Sequence, residues 1–323
     1  MAFIYLRTKF LYMLPLKMTW NPSTGLDLGF LTIHYYSLMF VLAFSLGWYL
    51  MKRVYKYEGV EEEKLDPLFI YSVLAILLGA RLGHVFFYQT ELLWEDPLSV
   101  LLPFRFVPEI EYTGFQGLAS HGAAIGMIFA MYLYNKKILK KSVLWLLDRV
   151  ILPVSLGAIF VRIGNFFNSE MVGKITDSNL GIKFVQDQYN KYEVQRITGI
   201  ADEHKAFRAL TDDPQFANYI AEIPFRFPGQ LMEATGYIFV FLILMFVYWK
   251  TNLRKKEGLI FGLFLVLLWT VRFIVEFFKR AQVEGRENWV FGLNTGQILS
   301  VPFILIGIFL IVRGLNQKKN PQY

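Results

Sequence analysis

The chain reads Arg162-Ile-Gly-Asn-Phe-Phe-Asn-Ser-Glu-Met-Val-Gly173 at the end of a long apolar run. A charged side chain on a membrane helix costs about 2.5–3.5 kcal/mol on insertion scales, and such residues usually have a function. A continuous helix would hold Arg162 and Glu170 about 12 Å apart along its axis. The two side chains can therefore meet only if the chain turns around Gly164–Asn168, and we expect a chemical site at this turn.

The composition around this stretch is that of a membrane protein. Of the 323 residues, 55% are hydrophobic and 18% are charged, whereas soluble domains carry about 25% charged residues. The chain has no cysteine, which excludes disulfides, thiolate metal sites and a cysteine nucleophile of its own. Its four histidines lack metal-binding spacings, so we predict no metal site. The net charge is +7, but short loops between apolar runs carry the basic residues, which indicates membrane orientation and no nucleic-acid partner.

Seven apolar segments are long enough to be transmembrane helices. They lie at about 31–51, 67–89, 116–135, 143–164, 229–249, 258–279 and 294–313. The connections after the first, third and fifth segments, and the chain after the seventh, carry the clusters of lysine and arginine. Because such clusters face the cytoplasm, the N-terminus is predicted to lie outside and the C-terminus inside. The sequence thus predicts an all-α polytopic membrane protein of about seven transmembrane helices.

One long polar segment, 165–228, interrupts this pattern on the outer side. Alternation such as Ile182-Lys183-Phe184-Val185 predicts a small mixed α/β head domain of short strands and turns, with one helix near 202–211. The first 17 residues are basic although they precede the outer end of the first helix. They are either an interfacial segment or lie before the true start at Met18. The predicted domains are 1–30 (outer or interfacial), 31–164 (helices one to four), 165–228 (head), 229–313 (helices five to seven) and 314–323 (cytoplasmic tail).

Polar residues within the predicted helices concentrate in their outer halves. They include Tyr36, Arg81, His121, Arg162 and Arg272. This asymmetry predicts a polar cavity open to the outer leaflet. It disfavours a channel or proton relay, which would need polar groups across the whole membrane. A structural ion pair is the alternative for Arg272 and Glu276, because their i,i+4 spacing suits one.

The residue types in this cavity favour phosphate chemistry. Arg81, Arg162 and Arg272 suit a phosphate, which a guanidinium binds through two parallel hydrogen bonds, and a phospholipid is the phosphate most available at that depth. His121, in a glycine-rich helix start, is either a general base or a histidine that holds the turn through a backbone carbonyl. No covalent nucleophile is evident, so direct transfer between two bound substrates fits better.

The stretch Arg162–Gly173 resembles the signature of the bacterial phosphatidylglycerol–prolipoprotein diacylglyceryl transferases, which reads Gly/Ala-Arg-x-Gly/Ala-Asn-Phe-x-Asn-x-Glu-x-x-Gly. Further similar stretches follow the family's order and extend the resemblance over about 20–313. They are Tyr35-Tyr36-Ser37-Leu38-Met39, Gly79-Ala80-Arg81-Leu82-Gly83, His121-Gly122 with Gly126, Gln230-Leu231-Met232-Glu233-Ala234, Arg272-Phe273-Ile274-Val275-Glu276-Phe277-Phe278 and Gly296-Gln297-Ile298-Leu299-Ser300. Three positions depart from the family pattern: His84 replaces an aromatic residue, Ala123 a glycine and Lys279 an arginine.

The resemblance implies an enzyme of the bacterial inner membrane with a periplasmic head and N-terminus. It would move the diacylglyceryl group of phosphatidylglycerol to the lipobox cysteine thiol of a prolipoprotein signal peptide, release glycerol phosphate and need no cofactor. The implied catalytic residues are His121, Arg162, Glu170 and Arg272. The implied phosphatidylglycerol-binding residues are Tyr36, Arg81, Arg162, Asn165, Gly173 and Glu276.

Two other functions stay open on the residues alone. A protein that binds or transports phospholipid could use the same phosphate site without chemistry. A different phospholipid head-group enzyme would also fit. Only the transferase would release glycerol phosphate in a reaction that requires an acceptor cysteine.

Overall fold

The structure is a computed structural model that describes residues 17–23, 25–28, 32–102, 104–107, 109–112, 117, 119–280 and 292–317. The chain divides into two compact units. The larger unit comprises residues 1–47 and 151–323, and the smaller unit comprises residues 48–150. The expectation for the first 17 residues falls almost entirely outside the described residues, as does most of the predicted cytoplasmic tail.

Helices make up most of the described chain, with a few short strands. In chain order the elements are β1 Met18–Trp20, β2 Gly25–Asp27, β3 Thr32–His34, α1 Tyr35–Glu58, α2 Leu65–Tyr88, α3 Leu92–Glu95, β4 Phe104–Arg105, β5 Glu111–Tyr112, α4 Ser120–Tyr134, α5 Val143–Phe167, β6 Ile182–Phe184, α6 Val185–Gln188, α7 Lys191–Thr198, α8 Glu203–Asp212, α9 Ala217–Glu222, α10 Gly229–Lys250, α11 Leu259–Val275 and α12 Thr295–Asn316. Short 3₁₀ turns precede α2, follow α3, join α8 to α9 and join α10 to α11, and a π-helical turn follows α4.

Five helical segments among the described residues are long and apolar enough to cross a membrane. They are Tyr35–Glu58, Glu62–Tyr88, Val143–Phe167, Gly229–Lys250 and Thr295–Asn316. The two other predicted spans form shorter helices, α4 with 15 residues and α11 with 17. The mostly helical membrane fold is therefore confirmed, whereas the total of seven spans stays a prediction.

Two helix boundaries differ from the sequence prediction because backbone pairing ends or delays the helix. Helix α1 begins at Tyr35 and not near residue 31, since Thr32–His34 pairs in antiparallel register with Gly25–Asp27. Helix α11 ends at Val275 and not near residue 279. The chain turns after it, and the backbone of Lys279 forms an antiparallel bridge with Gly173.

In the smaller unit, α2 and α4 pack through small residues. A Cβ placed on Gly79 would lie 2.6 Å from the carbonyl oxygen of Gly122, and one on Gly83 would lie 2.5 Å from the Cα of Gly122. The amide of Ala119 also donates a hydrogen bond to the carbonyl of Ala80 over 2.9 Å. Glycine at these positions lets the two backbones approach closely, as membrane helices do where small residues recur every four positions.

In the larger unit, short strands tie the N-terminal segment to residues 165–228. Strand β1 pairs in parallel with β6, and the indole of Trp20 stacks on Phe166 with ring centroids 4.2 Å apart. The indole nitrogen of Trp20 donates to the carbonyl of Phe166 over 2.9 Å. These contacts hold the C-terminal end of α5, where the charged stretch begins.

Residues 165–228 contain the two elements that the sequence predicted there. The predicted strand is β6, and the helix expected near 202–211 is α8. A small apolar cluster of Val185, Val194, Ala206, Leu210 and Ile223 packs inside this region. Helices α6 to α9 make it more helical than a set of short strands and turns.

We predict that Gly79→Ala lowers the midpoint of thermal unfolding in detergent. The added methyl group would overlap the backbone of α4, and overpacking of this kind costs about 1–3 kcal/mol. Gly157→Ala in α5 is the matched control, because its Cβ would meet only the Cβ of Ala43, at 3.8 Å. Alanine is the better helix former by about 1 kcal/mol, so the control should unfold at the same or a higher temperature. Equal midpoints for both variants would contradict close packing at Gly79.

Candidate functional site

The candidate site begins at a reversal of the chain after α5. Ser169 and Met171, on either side of Glu170, adopt the left-handed conformation with φ of 54° and 58°, which is unusual for residues with a side chain. The amide of Glu170 donates to the carbonyl of Asn165 over 2.9 Å. The turn expected after Arg162 is therefore present, although the helix continues to Phe167 before it reverses.

Arg162 is held by three side chains. Its Nε forms an ion pair with Glu233 Oε2 over 2.5 Å. Its Nη1 donates to Asn165 Oδ1 and to Met171 Sδ, each over 3.1 Å. The side chains of Arg162 and Glu233 are 12% and 1% exposed, so the pair is removed from water and its geometry is fixed.

Glu170 joins the same network through Asn165. Asn165 Nδ2 donates to Glu170 Oε2 over 3.0 Å, and Asn168 Nδ2 donates to Oε1 over 3.2 Å. The side-chain amide of Gln230 donates to the backbone carbonyl of Glu170. Arg162 and Glu170 do not touch each other, because Asn165 accepts from the first and donates to the second.

Two tyrosines complete the surroundings of Arg162. The ring of Tyr36 packs on Gly164, where a Cβ would lie 2.6 Å from the ring carbon Cδ2, and its hydroxyl interacts with the side chain of Asn165. Tyr237, one turn after Glu233 on α10, is 3% exposed and interacts with Arg162 through its hydroxyl. Tyr237 also lies within electrostatic range of Arg272, so the two arginines share one region.

Arg272 differs from Arg162 because it has no acidic partner among the described residues. Its guanidinium lies over the ring of Trp269, 5.5 Å from the centroid, and its buried Nε makes no hydrogen bond there. The i,i+4 ion pair with Glu276, considered from the sequence, is not formed within the described chain. Glu276 pairs instead with Lys279, whose Nζ lies 3.5 Å from Oε2.

Gly173 makes close backbone contacts with two other segments. Its amide donates to the carbonyl of Phe227 over 2.8 Å. A Cβ on Gly173 would lie 2.5 Å from that oxygen and 2.7 Å from the carbonyl oxygen of Phe278. Any side chain would therefore push apart the segments that precede α10 and follow α11.

The smaller unit contains the other two predicted site residues. His121 lies in the first turn of α4, is exposed and makes no hydrogen bond to a described residue. Its ring centroid is 4.9 Å from that of Phe87 and 5.9 Å from that of Tyr88. If His121 held the turn, its ring would hydrogen-bond a backbone carbonyl. The described contacts include no such bond.

Arg81 is buried and holds the chain that follows α2. Its Nε donates to the carbonyl of Val100 over 3.0 Å, and its Nη2 donates to the carbonyl of Ser99 over 2.7 Å. The residue lines a cavity of 420 Å³ with His84, Asp96 and Arg105. These bonds give Arg81 a structural role, and its role in phospholipid binding stays a prediction.

The structure therefore brings together Tyr36, Arg162, Asn165, Glu170, Gly173, Arg272 and Glu276 in the larger unit. Sequence reasoning did not assign Glu233, Tyr237 or Lys279 to the site, although Glu233 lies in a stretch that resembles the family and Lys279 was named as a departure from its pattern. The spacing of Glu233 and Tyr237 on one face of α10 was the available signal. Within the described ranges, no group of three or more histidine, aspartate or glutamate side chains could hold a metal ion.

The sequence of this chain matches a known protein family over most of its length. Residues 24–313 match the family model described as "Prolipoprotein diacylglyceryl transferase". The chain belongs to this family.

Its relatives include three proteins named phosphatidylglycerol–prolipoprotein diacylglyceryl transferase. The protein of Tolumonas auensis is 33% identical over 93% of this chain and 98% of its own length. That of Bacteroides fragilis is 32% identical over 92% and 95%, and that of Porphyromonas gingivalis 33% over 95% and 97%. The identity extends over both units, so the transferase assignment covers the whole membrane domain.

We predict that Glu233→Gln lowers both the thermal stability and the transferase activity, the latter by about tenfold or more. Removing one charge from a buried pair leaves its partner uncompensated, which costs about 3–5 kcal/mol in the worst cases. Glutamine has nearly the same volume as glutamate, so a loss of stability or activity can be attributed to the missing charge. Glu222→Gln on the exposed face of α9 is the control and should change neither quantity. Full activity of Glu233→Gln would show that Arg162 does not need this partner.

Proposed function

We propose that this chain transfers the diacylglyceryl group of phosphatidylglycerol to the thiol of the lipobox cysteine of a prolipoprotein. The names of its relatives support the two substrates. The observation that carries the proposal is the contrast between two neighbouring arginines. Arg162 is paired with Glu233, whereas Arg272 has no acidic partner within the described chain. An unpaired arginine beside an oriented one suits a ligand phosphate.

The reaction forms one bond and breaks one. The sulfur attacks the C3 carbon of the diacylglycerol, which carries the phosphate ester, and the bond between this carbon and the ester oxygen breaks. The electron pair stays on that oxygen, and glycerol phosphate leaves. The thiol loses its proton, and the product is a thioether. Arg162 and Arg272 would stabilise the negative charge that develops on the leaving group, as fixed cationic donors do in other transferases.

The remaining residues have supporting roles in this proposal. Asn165, Glu170 and Tyr36 orient Arg162 and the head group, since Asn165 contacts all three of the other side chains. Glu276 belongs to the head-group region. His121 either deprotonates the thiol or orders the site, and Arg81 contributes to lipid binding. The chain supplies no cysteine, which is consistent with an acceptor that brings its own sulfur.

The membrane arrangement is part of the same proposal. Seven helices cross the bacterial inner membrane, with the N-terminus and the segment 165–228 on the periplasmic side and the C-terminus in the cytoplasm. The distribution of lysine and arginine in the connections supports this orientation. In it, the ends of α5 and α11 and the starts of α10 and α12 lie near the outer leaflet, where phosphatidylglycerol and the lipobox are both available.

We expect Arg272→Ala and Arg162→Ala each to lower transfer by about 10²-fold or more, because losing one donor to a developing oxyanion costs about that much. Arg272→Lys should recover part of the activity, since lysine keeps the charge without the fork geometry. The assay follows addition of lipid to a lipobox peptide by mass spectrometry. Arg208→Ala, on the exposed face of α8, should leave the rate unchanged. Full activity in either alanine variant would contradict the assigned roles.

The role of His121 can be decided by a pH profile of His121→Gln. A free thiol has a pKa of about 8.5, so a higher pH supplies thiolate without a base. If His121 is the base, the ratio of wild-type to variant rates should shrink between pH 7 and pH 9. A ratio that is constant over this range would assign His121 to ordering the site.

A further inference from the structure

Lys279 lies between two carboxylates beside the candidate site. Its Nζ is 3.6 Å from Glu233 Oε1 and 3.5 Å from Glu276 Oε2. The lysine side chain is 2% exposed, and the two glutamates are 1% and 7% exposed. Three buried charges at these distances interact strongly, because little water screens them. Glu233 also pairs with Arg162, so a single carboxylate lies between Lys279 and the arginine.

The same region is rich in buried polar atoms that have no hydrogen-bond partner within the described chain. Apart from the atoms of Lys279, Glu233 and Glu276 that form the ion pairs, they are the acceptor Gln230 Oε1, the donors Arg272 Nε and Gln297 Nε2, and the hydroxyls of Ser169 and Thr295. Buried polar groups are normally satisfied, so these atoms indicate a place for a polar ligand. Both acceptors and donors occur among them, which suits hydroxyl groups because a hydroxyl both donates and accepts.

Lys279 is expected to lie beside the part of a phospholipid head group that is furthest from the acyl chains. Arg272 lies in the last turn of α11, Glu276 caps that helix, and Lys279 follows the turn after it. In the proposed orientation this order runs away from the membrane. A phosphate bound by Arg272 would therefore direct its acyl chains inward and the rest of its head group toward Glu276 and Lys279.

We propose that Lys279 is a specificity residue that makes this polar region accept an uncharged polyol head group and reject a cationic one. The inference rests on the proposed function and names the determinant of its lipid substrate. Arg162 and Lys279 balance Glu233 and Glu276, so the four groups are neutral together. A glycerol head group enters such a region without a charge penalty. An ethanolamine head group brings an ammonium against Lys279, and like charges in a desolvated site repel each other strongly.

Removal of the lysine charge reverses this preference. Without it, the two glutamates face Arg162 alone and the polar region carries one net negative charge. This charge attracts an ammonium group and gives glycerol no advantage. Arginine at position 279 would keep the charge, so Lys279→Arg should keep the preference for the uncharged head group.

The test compares two donor lipids with identical acyl chains, phosphatidylglycerol and phosphatidylethanolamine. Full-length purified protein is assayed with a lipobox peptide, and kcat/KM is measured from release of glycerol phosphate or phosphoethanolamine. We expect the ratio of the two kcat/KM values in Lys279→Gln to fall about tenfold or more below that of the wild type. Lys279→Arg should keep the ratio. Lys174→Gln is the matched control, because Lys174 is exposed and joins Phe278 only through its backbone amide.

An equal loss for both lipids in Lys279→Gln, with an unchanged ratio, would overturn the proposal and assign Lys279 a structural role. If the variant is too slow to assay, lipids bound from an equimolar mixture are counted by mass spectrometry after purification. The fraction of phosphatidylethanolamine should rise in Lys279→Gln and fall again in the double variant with Glu276→Gln. Unchanged fractions would also overturn it. Failure of the proposed function is a separate result, in which wild-type protein transfers from neither lipid.

Discussion

The buried ion pair between Arg162 and Glu233 is the interaction on which the rest of the site depends. Two charges removed from water are stable only when each keeps well-oriented partners. Arg162 meets this need with Asn165 and Met171, and Glu233 meets it with Lys279. Arg162, Asn165 and Met171 lie at or just after the end of α5, Glu233 lies near the start of α10, and Lys279 follows α11, so the pair also fixes how these three ends meet. In the proposed function, stability and activity would therefore depend on the same contacts.

Backbone geometry makes this convergence possible. The chain reverses after α5 through the left-handed residues Ser169 and Met171, and it then passes between the segments that precede α10 and follow α11. Only glycine fits there, because any side chain on Gly173 would overlap two carbonyl groups. The reversal returns Glu170 to Asn165. The stretch Arg162–Gly173 thus supplies not only polar side chains but also one reversal of the chain and one close backbone crossing.

Most of the fold, and seven of the ten residues that the structure brings together in the larger unit, could be predicted from the sequence. The lengths of the apolar segments and the charges of the connections predict membrane helices, because a chain buried in lipid can adopt few other structures. Arg162 stands out because a charge in such a helix is costly. The partners of the charges could not be predicted in the same way. The spacing of Arg272 and Glu276 favours a local pair, but Glu276 instead pairs with Lys279, since the chain leaves the helix at Val275. The end of the helix thus decides this local pair, and tertiary packing decides the pair of Arg162 with Glu233.

The charge distribution leads directly to the chemistry. Among the described residues, Glu170, Glu233 and Glu276 each have a partner, whereas the Arg272 guanidinium has no acidic one. The most direct measurement is the stoichiometry of the reaction, with wild-type protein, phosphatidylglycerol and a lipobox peptide in detergent. The account predicts one glycerol phosphate released for each diacylglyceryl group found on the peptide, and no release when the peptide's cysteine is replaced by serine. Release of glycerol phosphate without an acceptor cysteine would contradict it.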